Sequence, residues 1–241
     1  MLRRRNIVVL LFIGLLAWAY QNLYPPPPLL CGSPGGPPVT GPRVVLRDGR
    51  HLAYNEYGVS RDVAKYKIVF VHGFSSCRFD ESVYHPELFE ELKIYMVTFD
   101  RPGYGESDPD PKRTVKSLAL DMEDLADKLE LGSKFYVIAY SMGQQGGWGS
   151  LKYIPHRDMK VGFGKWEFDP MEIDNPFPTN EGSVHLWHGE EDGLVPVLLQ
   201  RYIAKKLSWI HYHELPGVGH FVPSYDGKKE TILKSLLLGE Y

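Results

Sequence analysis

Apolar residues along the chain fall into short continuous runs that alternate with longer amphipathic stretches. Continuous runs of β-branched and aromatic residues predict strands buried on both faces, and two weaker runs predict further strands. Apolar residues spaced three and four positions apart predict helices. The predicted strands are 67–71, 95–99, 135–139, 184–187 and 210–214, and the predicted helices are 114–131, 142–154, 195–207 and 229–238.

The order of these elements predicts the fold class. A hairpin comes first, with strands 44–47 and 51–57 joined by a turn at Asp48-Gly49. Strands and helices then alternate, which is typical of an α/β fold with a mostly parallel sheet and helices on both faces. In such a sheet the chemistry lies at the carboxyl ends of the strands.

The N-terminal segment is separated from this pattern by prolines. Three arginines precede the uncharged run Ile7–Tyr20, which is typical of a signal peptide or a membrane anchor. Ala17-Trp18-Ala19 resembles a cleavage site, but the aromatic residues that follow favour an uncleaved anchor over residues 1–24. A buried core helix is the alternative, which the Pro/Gly-rich linker 25–42 disfavours.

An anchor with its arginines on the cytoplasmic side puts the domain 43–241 on the lumenal or exterior side. We therefore expect a membrane-anchored protein of the endomembrane system or cell surface, or a secreted one if the signal is cleaved. The net charge of −3 and the absence of a basic stripe give no indication of a nucleic-acid partner. Two cysteines are too few for a disulfide framework and match no zinc spacing.

Glycines and polar residues follow each predicted strand. The segments are 72–75 (HGFS), 100–107 (DRPGYGES), 139–143 (AYSMG), 188–192 (HGEED) and 217–220 (GVGH). Three of these ends offer a serine, an acid and a histidine, which are Ser141, Asp192 and His220. A serine hydroxyl becomes a nucleophile when a base accepts its proton and an acid orients that base.

The flanking residues also fit this chemistry. Small residues at Ala139 and Gly143 suit a tight strand-to-helix turn around Ser141. The backbone N–H groups of Met142 and Phe74 are the candidate donors to a developing oxyanion. Glu190 and Glu191 remain alternatives to Asp192 as the acid.

These motifs, in this order from Arg43 to the C-terminus, resemble those of the α/β-hydrolase superfamily, and in particular its membrane-anchored plant members of unassigned substrate. The resemblance implies Ser141 as nucleophile, Asp192 as acid, His220 as base, and Phe74 with Met142 as the oxyanion hole. It implies no metal and no cofactor. Epoxide hydrolases and haloalkane dehalogenases use a carboxylate nucleophile where this chain has Ser141, which disfavours both activities.

Other conspicuous residues have structural interpretations. His185, His211 and His213 lie within predicted strands, where packing or surface positions are expected. Asp100 and Arg101 are expected to fix a turn by hydrogen bonds rather than to contact substrate. Cys77 is expected to be a passive part of a pocket wall.

The interval between the nucleophile and the acid is short for the superfamily. Asp192 follows Ser141 by only 51 positions, and residues 156–183 contain no convincing buried strand. We infer that roughly the sixth strand and most of the cap domain are missing there. Strand 184–187 would then have to pair beside 135–139, which would move Asp192 away from His220.

Two functions follow from the sequence. The first is a serine hydrolase that cleaves carboxylic esters, including those of lipids or other apolar acyl groups, through an acyl-enzyme. The second is a catalytically impaired hydrolase-fold protein that acts, if at all, as a binding module. With either function, the partners of the protein would be a small-molecule ester and, through the N-terminal segment, a membrane.

Overall fold

The structure, a computed structural model, describes residues 4–23, 29–74, 76–141, 158, 161–162 and 164–240. The predicted helix 142–154 lies outside the described residues. Short 3₁₀ turns occur at Pro170–Glu172 and Val222–Ser224. The other elements are α1 (Arg4–Leu23), β1 (Arg43–Val45), β2 (His51–Gly58), β3 (Tyr66–Val71), α2 (Pro86–Leu92), β4 (Ile94–Phe99), α3 (Val115–Lys128), β5 (Tyr136–Ala139), β6 (Val184–Gly189), α4 (Val197–Lys206), β7 (Ile210–Leu215) and α5 (Lys228–Leu238).

The ends of two helices show why the elements form where they do. At the start of α3, the Thr114 hydroxyl accepts from Ser117 N–H and the Ser117 hydroxyl accepts from Thr114 N–H, which is a capping box. Helix α2 was not predicted from the sequence. It begins with Pro86 at its first position and ends at Leu92, and the capping residue Lys93 that follows has a left-handed backbone.

The main sheet has five strands in the order β1-β2-β4-β3-β5. The predicted hairpin is confirmed, because β1 and β2 pair antiparallel with Val44 opposite Leu52. Strand β2 also runs antiparallel to β4, whereas β3 is parallel to both β4 and β5. The sheet is therefore mixed at one edge and parallel at the other, as expected for this α/β fold.

Strands β6 and β7 form a second, two-stranded parallel sheet. The expectation that 184–187 pairs beside 135–139 is therefore wrong for the described residues. Strand β5 pairs there only with β3, and Val137 on β5 is 46% exposed. The prediction of a strand buried on both faces is correct for β4 and wrong for β5. Such burial needs a strand on each side and side chains packed over both faces, and for β5 these are not all among the described elements.

Apolar side chains cover both faces of the main sheet. On one face, Val69 of β3 and Val97 of β4 pack with Leu125 of α3. On the other face, Phe70 and Met96 belong to a cluster that includes α2 and α5. Alternate residues of β3 and β4 thus enter different cores, which explains why their sequences are continuously apolar.

Helix α5 contributes to the cores of both sheets. Its Leu233 and Leu237 lie in the cluster on β3 and β4, with Leu233 fully buried. The preceding residue, Ile232, packs with Val218 and Val222, a cluster that the β6 and β7 side chains adjoin. The two sheets therefore share a helix although no strand pairing joins them in the described chain.

The predicted membrane anchor is not supported. Helix α1 has 20 residues, but Arg4 and Arg5 begin it and Gln21 and Asn22 lie near its end. A transmembrane helix needs about 20 predominantly apolar residues. Among the residues that the structure describes, no helix is long and apolar enough to cross a membrane. The expected cellular location stays a prediction.

Residues 29–42, predicted as a linker, contact the body of the protein. Thr40 N–H donates to the Glu106 carboxylate at 3.0 Å, and the Thr40 hydroxyl also contacts that carboxylate. The Arg43 guanidinium donates to the Cys31 carbonyl at 3.1 Å. This segment is therefore attached to the loop that follows β4.

A buried ion pair fixes that loop. The Asp100 carboxylate, which is fully buried, accepts from the backbone N–H groups of Arg78 and Glu106 and forms an ion pair with the Arg78 guanidinium. Gly105 lies so close that a Cβ atom there would stand 2.0 Å from the Asp100 carboxylate. The predicted turn-fixing role of Asp100 agrees with these contacts.

Arg78→Met is expected to destabilise the protein by about 3–5 kcal/mol, because it leaves the Asp100 charge buried without its partner. Urea unfolding followed by circular dichroism measures this change. Arg201→Met is the matched control, since Arg201 pairs with Glu214 at a surface where its side chain is 45% exposed, and its loss should cost no more than about 1 kcal/mol. Equal losses for the two variants would contradict the prediction.

Four aromatic rings stack on one face of the small sheet. The His185 ring stacks on His211 and His213 with centroids 5.0 and 5.2 Å apart, and Trp187 stacks on His213 at 3.9 Å. Burial, together with the neighbouring His213 and His211, lowers the pKa of His185 to about 4. Burial and His211 also lower the pKa of His213. These histidines thus have a packing role, as their strand positions suggested.

Stability is expected to fall as the pH drops from about 6.5 towards 4. In that window the unfolded chain binds protons at His185 and His213 that the folded chain does not bind, so acid favours unfolding. Urea unfolding midpoints at pH 7 and pH 5 measure the effect. The double variant His185→Gln, His213→Gln should lose less stability between these pH values than the natural chain, and an unchanged difference would contradict the assignment.

Candidate active site

Ser141 lies two residues beyond β5, on a tight turn. Tyr140 N–H still donates to the Val71 carbonyl at 3.2 Å, so strand pairing with β3 continues up to the residue before Ser141. Ser141 then has a φ of +28°, in the left-handed region that residues other than glycine seldom adopt. Such strain is typical of a nucleophile on a sharp turn at the end of a strand.

The structure brings Ser141, His220 and Asp192 together. The Nε2 atom of His220 makes a short contact with the Ser141 hydroxyl. On the other side of the ring, Nδ1 lies 2.7 Å from Oδ2 of Asp192. A continuous hydrogen-bonded chain thus runs from a buried carboxylate, through an imidazole, to an exposed hydroxyl.

Asp192 lies in the loop after β6 with its carboxylate almost fully buried. Its Oδ1 accepts from the N–H groups of Leu194 and Val195 at 2.8 and 2.9 Å, and its Oδ2 faces His220 and, at 3.5 Å, Nε2 of His188. Burial would raise the pKa of Asp192, but the hydrogen bonds from Val195, His220 and Leu194 hold it below its usual range. The carboxylate is therefore ionised at neutral pH.

The alternative acids are oriented elsewhere. Glu190 and Glu191 are both exposed, and the Glu190 carboxylate lies 3.9 Å from the Arg201 guanidinium. Their backbone groups instead hold the loops together, because Glu190 N–H donates to Leu215 and Glu191 N–H donates to Val218. Of the three candidate acids, Asp192 is thus the one in contact with His220.

A close backbone crossing holds His220 near Asp192. The loop after β7 passes directly over Gly189 at the end of β6, where a Cβ atom would stand 2.2 Å from the Val218 carbonyl oxygen. Gly219 N–H donates to the Tyr225 hydroxyl at 2.9 Å, and the Tyr140 hydroxyl donates to the His220 carbonyl at 3.4 Å. Glycine at position 189 is required for this approach.

Of the two predicted oxyanion donors, the structure describes Phe74 only. Phe74 follows β3, which neighbours β5, so its backbone leaves the sheet at the same edge as Ser141. Among the described residues, no acceptor is found for Phe74 N–H. Met142 lies outside the described residues, as does the helix predicted to follow it.

Sequence reasoning missed several groups around this site. Asp158 is a buried carboxylate in contact with Arg101, Arg113 and Tyr104, yet nothing in its surrounding sequence marks it. Tyr225 was likewise not singled out, although its hydroxyl supports the His220 loop. Across the described parts of the chain, no group of three or more His, Cys, Asp or Glu side chains is arranged to hold a metal ion.

Comparison with known proteins agrees with this fold. A model of the alpha/beta hydrolase family matches residues 68–161. No curated protein sequence matches the chain.

Among solved structures, an esterase from Exiguobacterium antarcticum has a TM-score of 0.60 at 13% identity, covering 82% of this chain and 99% of its own. A predicted CIB-like hydrolase from Thermoplasma acidophilum has a TM-score of 0.55 at 18% identity, covering 81% and 94%. A thermophilic esterase from Thermogutta terrifontis has a TM-score of 0.53 at 14% identity, covering 82% and 98%. At these identities the likeness concerns the fold. Together with the family match over residues 68–161, it shows that the chain has an alpha/beta hydrolase fold.

Proposed function

We propose that the protein is a serine hydrolase that cleaves carboxylic esters, with Ser141 as nucleophile, His220 as base and Asp192 as the orienting acid. The observation that carries the proposal is the hydrogen-bonded chain from Asp192 through His220 to Ser141. The exposure of Ser141 and its left-handed backbone also support it, since a nucleophile must be accessible.

The first half of the reaction follows from these contacts. His220 Nε2 accepts the hydroxyl proton as Ser141 Oγ attacks the ester carbonyl carbon. The imidazolium that forms is stabilised by the ionised Asp192, which holds Nδ1–H in place. The negative charge on the carbonyl oxygen is stabilised by backbone N–H groups, with Phe74 and Met142 as the candidate donors.

The second half releases the products. His220 gives its proton to the leaving alcohol as the tetrahedral intermediate collapses, which leaves Ser141 acylated. Water then attacks the acyl-enzyme while His220 accepts one of its protons. His220 returns this proton to Ser141 Oγ as the bond to the acyl carbon breaks, and the carboxylic acid departs. No step in this sequence consumes a second organic substrate.

Apolar acyl groups are the substrate class that we propose. Leu194, two residues after Asp192, is 69% exposed, and the Phe221 ring lies with its edge against His220 at a centroid distance of 5.3 Å. We propose that these two apolar side chains, both close in sequence to triad residues, contact the acyl chain of the substrate. Two of the structural neighbours are described as esterases, which supports ester cleavage in general.

A catalytically impaired binding protein is the second candidate. It is favoured by a break in the described strands: none of them pairs β5 with the β6–β7 sheet, and the nucleophile follows a strand of one sheet while the other two residues follow strands of the other. We propose that the break reflects the missing strand inferred from the short interval between Ser141 and Asp192. If the two sheets move relative to each other in solution, the Ser141–His220 contact is lost and the fold remains.

A fluorophosphonate probe is expected to label the full chain at Ser141, and Ser141→Ala is expected to abolish the labelling. Intact-protein mass spectrometry measures the adduct and peptide mapping locates it. The same preparation should hydrolyse p-nitrophenyl octanoate faster than p-nitrophenyl acetate. Absence of labelling in a folded chain would favour the impaired binding protein, and a preference for acetate would contradict the substrate class.

Asp192→Asn is expected to slow ester hydrolysis by a factor of about 10⁴ with the fold retained, because the amide no longer holds His220 in the active tautomer or stabilises the imidazolium. Glu191→Gln is the matched control, a neutralised neighbour with an exposed side chain, and should retain near-natural activity. The measurement is kcat/KM for one ester at pH 7.5. A larger loss in the control would reassign the acid.

A further inference from the structure

The carbonyl oxygen of Gly73 receives two hydrogen bonds. His72 Nδ1 lies 2.8 Å from it, and Arg101 Nη2 lies 2.7 Å from it. Gly73 directly precedes Phe74, so this carbonyl belongs to the same peptide unit as Phe74 N–H. The orientation of that peptide unit is thus fixed from the carbonyl side.

Planarity transfers this constraint to the donor. In a trans peptide unit the C=O and N–H bonds point in nearly opposite directions. With the Gly73 oxygen directed at His72 and Arg101, Phe74 N–H is directed away from both. Since β3 and β5 are adjacent and parallel, with Val71 opposite Ala139, the loops that contain Phe74 and Ser141 begin side by side.

Arg101 also determines which nitrogen of His72 carries the proton. The backbone N–H of Arg101 donates to His72 Nε2 at 3.1 Å, so Nε2 must be unprotonated and Nδ1 must carry the hydrogen that Gly73 accepts. Burial, with the nearby Arg101 and Arg113 charges, lowers the pKa of His72 to about 3. His72 therefore stays neutral, as this arrangement requires.

A buried carboxylate holds Arg101 in position. Oδ2 of Asp158 accepts from Arg101 Nη2 at 2.7 Å and from the Tyr104 hydroxyl at 2.5 Å, and Oδ1 accepts from Arg113. The Asp158 side chain is only 2% exposed. The Arg101 guanidinium also lies 4.8 Å from the centre of the Tyr104 ring. Its Nη2 atom is thus shared between Asp158 and Gly73.

We propose that Arg101, held by Asp158, is a positioning residue for the oxyanion site: it fixes the Gly73–Phe74 peptide unit so that Phe74 N–H is preorganised for the developing oxyanion. The inference rests on the serine-hydrolase function proposed above. It assigns Arg101 a role beyond the turn that its sequence position indicated. Asp158 acts one contact further away.

The chain offers a matched pair of variants. Arg101 and Arg113 both form ion pairs with Asp158 and are both largely buried, but among the described contacts only Arg101 reaches Gly73. Arg101→Gln and Arg113→Gln thus remove one Asp158 partner each. Only the first also removes a donor from the Gly73 carbonyl.

The rate of fluorophosphonate labelling is resolved into a reversible binding constant and an inactivation rate constant. The two constants distinguish a positioning role from a merely structural one. Arg101→Gln should lower the inactivation rate constant about tenfold or more and leave the reversible binding constant within about twofold, because the donor acts on charge that develops during reaction. With an ester substrate, kcat should fall and KM should stay. Arg113→Gln should change neither constant by more than about twofold.

Two further variants protect the test against misfolding. Arg101→Met fills a similar space without donating to Gly73, and Asp158 keeps its ion pair with the buried Arg113, so this variant should melt near the natural temperature while showing the slow inactivation. Arg101→Lys can still donate to Gly73 with one nitrogen and should recover part of the rate. The full chain is used throughout, and circular dichroism reports folding.

The outcomes separate this inference from the proposed function. If the natural chain labels at Ser141 and Arg101→Gln labels equally fast, or if Arg113→Gln slows labelling as much, the positioning role is overturned and the hydrolase proposal stands. If Arg101→Met is folded and labels at the natural rate, the role is likewise overturned. If the natural chain does not label at all, both proposals fail together.

Discussion

The contacts of α5 with both sheets are the constraint on which the rest of the structure depends. In the described chain no hydrogen-bonded strand joins β5 to β6, and the side chains of α5 pack in the cores of both sheets. Ile232 contributes to the core beside β7, and the next residue, Leu233, contributes to the core on β3 and β4. Ser141 belongs to the first sheet and His220 to the second. Their contact therefore requires this packing.

Much of the fold could be predicted because periodicity is a local property. The strands and the helices α3, α4 and α5 lie within a few residues of where apolar spacing indicates them, since each element buries its own apolar face. The division into two sheets could not be predicted this way. Which strand edge pairs with which depends on contacts between distant segments, and β5 has the same apolar sequence pattern whether one or two neighbours pair with it. Helix α2 was missed because its seven residues span too few turns to show a period.

In the candidate site too, residues marked by a local sequence pattern could be predicted, and contacts between distant segments could not. Ser141, Asp192 and His220 could be proposed because each follows a strand, and parallel strands bring their carboxyl ends to one edge. The expected displacement of Asp192 did not follow, since β6 keeps its pairing with β7 and the loop over Gly189 keeps His220 beside the acid. Arg101 was assigned only to a turn. Its contact with Gly73 depends on how far a side chain reaches from the loop after β4 to the loop after β3, which the sequence does not encode in any local pattern.

Two consecutive residues at the end of β4 connect the site to the rest of the molecule in different directions. Asp100 binds Arg78, whose guanidinium also reaches Glu106, and Glu106 holds Thr40 of the N-terminal segment. Arg101 instead contacts Gly73 and Asp158. Both side chains are charged and largely buried, so each is stable there only with its partners in place. The loop after β4 therefore does more than turn the chain. It contacts both the segment before β1 and the loop after β3. The loop after β3 contains the Phe74 N–H group on which we expect stabilisation of the oxyanion to depend.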